Sequence, residues 1–232
     1  MATVAIAAAD GSGSFNALVV EPKQKPAGAV VLIQEIFGVN EAMRAISAWV
    51  ADLGFVAVCP DLFWRIEPGI DITDQTEADW KRAFELFQSF DQAKGIDDVK
   101  ATVAASRTLP GSNGKVGTMG YCLGGRLAFM MAEQSDSDVN VSYYGVALDN
   151  LLDGLSRVRK PLVVHIADQD EFFPAEGRAK LVAAIKHRPE IKTFVYPNAN
   201  HAFARVGGTH WNGLAATIAN GRSAEALASA LK

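Results

Sequence analysis

A chain of 232 residues with 49% hydrophobic and 21% charged side chains has the composition of a globular protein, which excludes wholesale disorder. Its 22 basic and 26 acidic residues leave a net charge of −4, so the basic footprint required by nucleic acid or an anionic membrane surface is missing. No apolar run approaches the ~20 residues of a membrane span, the apolar start lacks a basic leader region, and two cysteines fit a reducing compartment. A cytoplasmic protein with a small-molecule substrate is expected; its oligomeric state is left open, with a monomer as one choice.

Two β-branched runs, Val4 to Ala9 and Phe15 to Val20, flank Asp10-Gly-Ser-Gly and predict an N-terminal hairpin. Ala27 to Ile33 is continuously apolar, as for a strand covered on both faces. A helix follows over 40–53, with Asn40 as N-cap, Gly54 as stop, and Ala42, Ile46, Trp49, Val50 and Leu53 on one face. Phe55 to Cys59 reads as the next strand, and residues 61–76 as irregular. Helices are expected over 77–90 and 91–108, then a strand over 115–119 and a helix over 124–133. Strands over 139–144, 162–167 and 192–196, with helices over 174–186 and 211–231, complete the order. Alternating strands and helices imply an α/β fold with a mainly parallel sheet and helices on both faces. No linker or repeat interrupts it, so residues 1–232 are read as one domain.

The strongest chemical signal is Gly120-Tyr121-Cys122-Leu123-Gly124-Gly125 between a strand and a helix. This is the G-x-S-x-G nucleophile elbow with cysteine in the serine position. Side chains two residues either side of the nucleophile would collide, and the turn sets Cys122 at the positive end of the next helix. Taken alone, Cys122 is equally well a small buried residue in a glycine-rich turn. Downstream, Asp168 and Asp170 end one strand and His201 follows the last one, each on the sheet edge where open α/β folds place their sites. Nucleophile, acid, histidine is the order of the α/β-hydrolases. Asp170, deeper in its loop, is preferred over Asp168. His201 would take the thiol proton and Asp170 would orient the imidazole. Backbone N–H groups of Leu123 and Ile36 are the candidate oxyanion donors. Glu35 follows an apolar strand whose end points into this region, where it could accept a proton from Cys122. His165 reads as a satisfied core residue, His187 as a helix-end cation, Cys59 as packing, and His210 receives no role. No metal or organic cofactor is implied.

The pieces Gln34-Glu35-Ile36-Phe37-Gly38, Cys59-Pro60-Asp61-Leu62, Gly117 to Gly125, Tyr143-Tyr144-Gly145 and His201-Ala-Phe-Ala-Arg205 give the sequence a resemblance to the dienelactone hydrolase family of α/β-hydrolases. The resemblance spans nearly the whole chain. It implies a catalytic Cys122, Asp170 and His201, a Glu35 switch that helps deprotonate Cys122, and opening of an unsaturated lactone through a thioester. It also implies substrate contacts at Phe37, Trp80, Phe84, Tyr144, Ala202 and Arg205. Arg205 matches one of two arginines that hold the substrate carboxylate in this family, whereas the second position is Trp80. A family tyrosine is Phe84 here, and a serine is Ala202. The expected pocket is therefore more apolar, with esterase activity on small activated esters or lactones. Two competing readings are an α/β-hydrolase-like binder without turnover and a thiol redox sensor pairing Cys122 with Cys59.

Overall fold

Successive residues of the strand Ala27–Ile33 enter two different cores: Ala29, Val31 and Ile33 one, Val30 and Leu32 the other. That alternation defines the molecule, because a strand buried on both faces needs helices above and below it. The computed structural model describes residues 1–232. Its strands are β1 (Ala2–Ala7), β2 (Ser14–Val20), β3 (Ala27–Ile33), β4 (Val56–Pro60), β5 (Ser112–Tyr121), β6 (Val139–Tyr143), β7 (Leu162–Ala167) and β8 (Ile191–Tyr196). They form a single sheet in the order β1-β2-β4-β3-β5-β6-β7-β8. The β1–β2 and β2–β4 pairs are antiparallel, and every pair from β4 to β8 is parallel.

The helices are α1 (Glu41–Asp52), α2 (Glu77–Ser89), α3 (Gln92–Arg107), α4 (Leu123–Gln134), α5 (Ala175–Ile185) and α6 (Gly213–Leu231). Met43, Ile46 and Val50 of α1 and Ala216, Ala219 and Leu227 of α6 pack on the Val30 and Leu32 face. Val99 and Val103 of α3 and Leu127 and Met131 of α4 pack on the opposite face, where α5 continues the layer through Leu181 and Ile185. Caps fix several entries: the Asn40 side chain accepts from Met43 N–H, Thr76 from Asp79 N–H, and Asp91 from Ala93 and Lys94 N–H.

The irregular stretch 61–76 is held by specific bonds rather than by regular structure. Asp98 Oδ1 and Oδ2 receive Arg65 at 2.8 and 2.9 Å, and Oδ2 also receives Trp64 Nε1 at 2.9 Å. Asp61 Oδ2 accepts from Gly69 N–H at 2.7 Å. Three expectations need correction. The first strand lies two residues earlier than predicted, because pairing of Ala7 with Ser14 leaves residues 8–13 as the turn. The strand before the elbow begins at Ser112 rather than Lys115, drawn out by pairing with Ala27. A 3-10 segment, Leu148–Arg157, was not anticipated; it buries Leu148 and Leu155 against α4 and α5.

In the first turn of α4 a Cβ on Gly124 would stand 2.2 Å from the Ile33 carbonyl oxygen, a main-chain atom that cannot move aside. Gly124→Ala is therefore expected to destabilise the fold by about 3 kcal/mol, read as a lowered urea midpoint at unchanged slope.

Candidate active site

The elbow begins with a backbone conformation that L-residues avoid. Cys122 has φ 56° and ψ −114°, between the last residue of β5 and the first of α4. A Cβ on Gly120 would come within 2.0 Å of the Gly124 carbonyl oxygen, so the tight bend requires glycine there as well. Cys122 N–H donates to the Tyr143 carbonyl at 3.1 Å, and its own carbonyl accepts from Arg126 N–H at 3.0 Å. Those two bonds tie the strained residue to β6 and α4. The Leu123 N–H follows at the first position of α4, and the Ile36 N–H in the loop after β3 is bonded to no protein acceptor.

His201 and Asp170 meet although 31 residues separate them. Both Asp170 oxygens lie at hydrogen-bond distance from His201 Nδ1, at 3.0 and 2.9 Å, and both side chains are buried. Asp170 Oδ1 also accepts from Phe172 N–H at 2.9 Å. Arg178 on α5 braces this loop by donating to the carbonyls of Asp168, Asp170 and Phe173. Asp168 is the loop's staple instead, with Oδ1 accepting from Asn198 N–H at 3.0 Å. Nδ1 is thus committed to the acid, which leaves Nε2 buried and without a hydrogen-bond partner. Burial opposes the imidazolium, but the neighbouring Cys122 sulfur and the Asp170 carboxylate outweigh it and push His201 up to about 10.

Cys122 and His201 share one cavity of about 250 Å³, completed by Ile36, Trp80, Phe84, Phe87, Val146, Ala147 and Phe172. Apart from Cys122 and His201, every side chain of its lining is apolar or aromatic. Of the sequence-predicted substrate contacts, Trp80 and Phe84 reach its surface, while Phe37, Tyr144, Ala202 and Arg205 are buried outside that lining. Tyr144 packs edge-on to the His201 ring at 5.2 Å, with its hydroxyl buried and unpartnered. Burial, then the charge of Glu35, pushes that phenol well above its usual pKa. Ala202 carries a φ of 63° directly after the histidine. Phe37 lies between Trp80, edge-on at 5.1 Å, and the Arg205 guanidinium, 4.7 Å above its ring.

Glu35 is no solvated loop charge: it is 3% exposed, and both its oxygens are held by Arg205. Arg205 Nε donates to Oε2 at 2.6 Å and Nη2 to Oε1 at 3.1 Å. The third side of the guanidinium donates through Nη1 to Asp74 Oδ2 at 2.7 Å. His165 sits away from the cavity with Nδ1 bonded to Tyr196 Oη at 2.8 Å and Nε2 to Ser223 Oγ at 2.9 Å; burial depresses it to about 3. Cys59 is level with Met119 two strands away, since Val58 pairs with Val31 and Val31 with Thr118. Two strand spacings of ~4.8 Å plus three residues of rise separate it from Cys122, well beyond the ~7 Å Cα limit of a disulfide.

The family model for the dienelactone hydrolase family matches residues 15–231. The chain belongs to the dienelactone hydrolase family. Among its curated relatives, the Pseudomonas putida carboxymethylenebutenolidase is 40% identical over 225 residues, covering 97% of this chain and 95% of that protein. An Azospirillum brasilense protein, provisionally described as a carboxymethylenebutenolidase, is 49% identical over 97% of this chain and 96% of its own length. In fold, the chain is similar to the dienelactone hydrolase-like promiscuous phosphotriesterase P91 from metagenomic libraries, with a TM-score of 0.82 at 18% identity, covering 100% and 99% of the two chains. It is also similar to Est1E from Butyrivibrio proteoclasticus, with a TM-score of 0.70 at 15% identity, covering 98% and 100%.

Within this dienelactone hydrolase scaffold, sequence reading passed over Phe87, Val146, Ala147 and Phe172 as cavity residues, and Arg178 and Asp74 as their supports. Phe87 had a signal, since Trp80, Phe84 and Phe87 recur at helical spacing on one face of α2. Asp74 had none, because it lies in an irregular segment 131 residues from its partner.

The raised His201 value sets a pH expectation. A folded pKa near 10 against about 6.5 unfolded contributes stability fully present below pH 6.5 and lost as pH rises through 10. In an NMR titration the His201 ring should titrate near pH 10 in the native protein, and at lower pH in Asp170→Asn.

Proposed function

We propose that this protein hydrolyses small carboxylic esters or lactones through a thioester formed on Cys122. The single observation that carries the reading is a buried imidazole with Nδ1 bonded to Asp170 that shares its cavity with a cysteine on a strained elbow. His201 Nε2, whose protonated form Cys122 and Asp170 favour, holds the thiol proton as sulfur attacks the acyl carbon and forms the C–S bond. The developing oxyanion accepts from the Leu123 and Ile36 N–H groups. Collapse expels the leaving oxygen, which receives the proton from His201. Water then gives its proton to His201, attacks the thioester and releases the acid and the thiol. Residues 1–232 act together as one catalytic domain in this reading.

The cavity favours a small, neutral acyl group. At about 250 Å³ it admits a compact ester or lactone, and its walls are apolar and aromatic. The relatives named carboxymethylenebutenolidase support the lactone side of the assignment. Dienelactone itself carries a carboxylate, which the cavity lining meets with no arginine or lysine. Glu35 can act as a proton acceptor for Cys122 only after leaving Arg205, a step that follows from its two bonds to that guanidinium.

Cys122→Ala should lower turnover of 4-nitrophenyl acetate by about 10³-fold or more, and wild type quenched during turnover should carry the acetyl group on Cys122 by mass spectrometry. Retained activity in the alanine variant would end the covalent mechanism. A neutral aryl ester is expected to outperform dienelactone in kcat/KM; a strong preference for dienelactone would overturn the neutral-substrate assignment.

A further inference from the structure

We infer that Asp74 is a specificity-determining positioning residue that withholds Arg205 from substrates and so excludes anionic acyl groups; this rests on the hydrolase reading above. The guanidinium lies one aromatic layer behind the cavity: Arg205 stacks on Phe37, and Phe37 meets Trp80, which lines the cavity wall. A buried guanidinium beside an active site would ordinarily attract a substrate carboxylate through charge-assisted hydrogen bonds. Here three of its nitrogens are already satisfied by protein carboxylates, Nε and Nη2 by Glu35 and Nη1 by Asp74. All three residues are at most 6% exposed. One cation between two buried anions leaves the group with one negative charge in excess, which repels a third carboxylate.

Asp74 is built for that position. Its Oδ2 accepts from Thr209 N–H at 3.0 Å and Thr209 Oγ1 at 3.3 Å as well as from Arg205, and its Oδ1 accepts from Gln75 Nε2 at 2.7 Å. Burial raises its pKa, but the Thr209 N–H and the Arg205 charge more than offset that and hold it below the usual carboxylate range. Trp80 Nε1 donates to the Asp74 main-chain carbonyl at 3.0 Å, so substitution of the Asp74 side chain leaves that wall contact available. Neutralising Asp74 would balance Arg205 against Glu35 alone, and the shorter serine would also withdraw the acceptor that Nη1 now has.

The test compares 4-nitrophenyl acetate with 4-nitrophenyl hemisuccinate, neutral and anionic acyl groups on one leaving group, in wild type, Asp74→Asn and Asp74→Ser. The hemisuccinate-to-acetate ratio of kcat/KM should rise about tenfold in both variants, mainly through a lower KM for hemisuccinate. An equal fall for both esters, an unchanged ratio, or a wild type that already prefers hemisuccinate would overturn the proposal. Binding of phenylacetate, an unreactive carboxylate, measured by calorimetry should strengthen by a similar factor, and no strengthening would count against it. That second measurement needs no turnover. Failure of wild type to hydrolyse the acetate ester in a Cys122-dependent way would instead defeat the hydrolase reading.

Discussion

One bend between β5 and α4 carries the geometry on which the rest of the site depends. Cys122 takes a backbone conformation that costs about 1–3 kcal/mol for an L-residue, and the surrounding structure must hold it there. The restraint comes from close main-chain packing on three sides. Gly120 lies against Gly124, Gly124 against Ile33, and Gly125 against the Tyr143 carbonyl, each too close for a Cβ. Because β5 lies between β3 and β6, the bend is bounded by neighbours that are themselves fully buried. The helix that starts at Leu123 follows directly on the residue that carries the sulfur.

Two buried acidic systems flank this bend, and they differ in what they leave free. Asp170 binds one nitrogen of His201 and leaves the other unpartnered, on a ring that lines the same cavity as Cys122. Glu35 and Asp74 between them occupy Arg205 on three nitrogens. The first arrangement leaves an imidazole nitrogen unpartnered, and the second leaves no guanidinium nitrogen unpartnered. Burial explains why both pairings are complete: an unpaired charge in such surroundings would cost several kcal/mol, so charged groups near the cavity find partners within the protein. What remains for substrate is an apolar chamber with a sulfur and an imidazole on one wall.

Much of this architecture is legible in the sequence because local patterns dictate it. The apolar run at 27–33, the capping residue Asn40, and the glycines at 120 and 124 each specify a local conformation through sterics or hydrogen bonding. The helices at 77–89 and 92–107 lie within one residue of the predicted 77–90 and 91–108, and the Thr76 and Asp91 caps seen in the structure fix their starts. The first strand lies two residues before its predicted position because alternating small apolar residues in Met1 to Ala9 suit several registers, and only pairing with β2 selects one. The 3-10 segment at 148–157 escaped for a similar reason: its burial is set by α4 and α5, not by its own periodicity.

The sequence by itself determined the order of strands and helices, the elbow, and the succession of Cys122, Asp170 and His201 at strand ends. Those features follow from short-range sterics and from the rule that parallel strands share one functional edge. Only the tertiary structure decided what the charged side chains do. Arg205 reads in sequence as a hand for a substrate carboxylate, yet it is bonded to Glu35 and Asp74, 170 and 131 residues away along the chain. A flexible cationic side chain points toward whichever anions the fold brings within reach, and no local pattern encodes which anions those are.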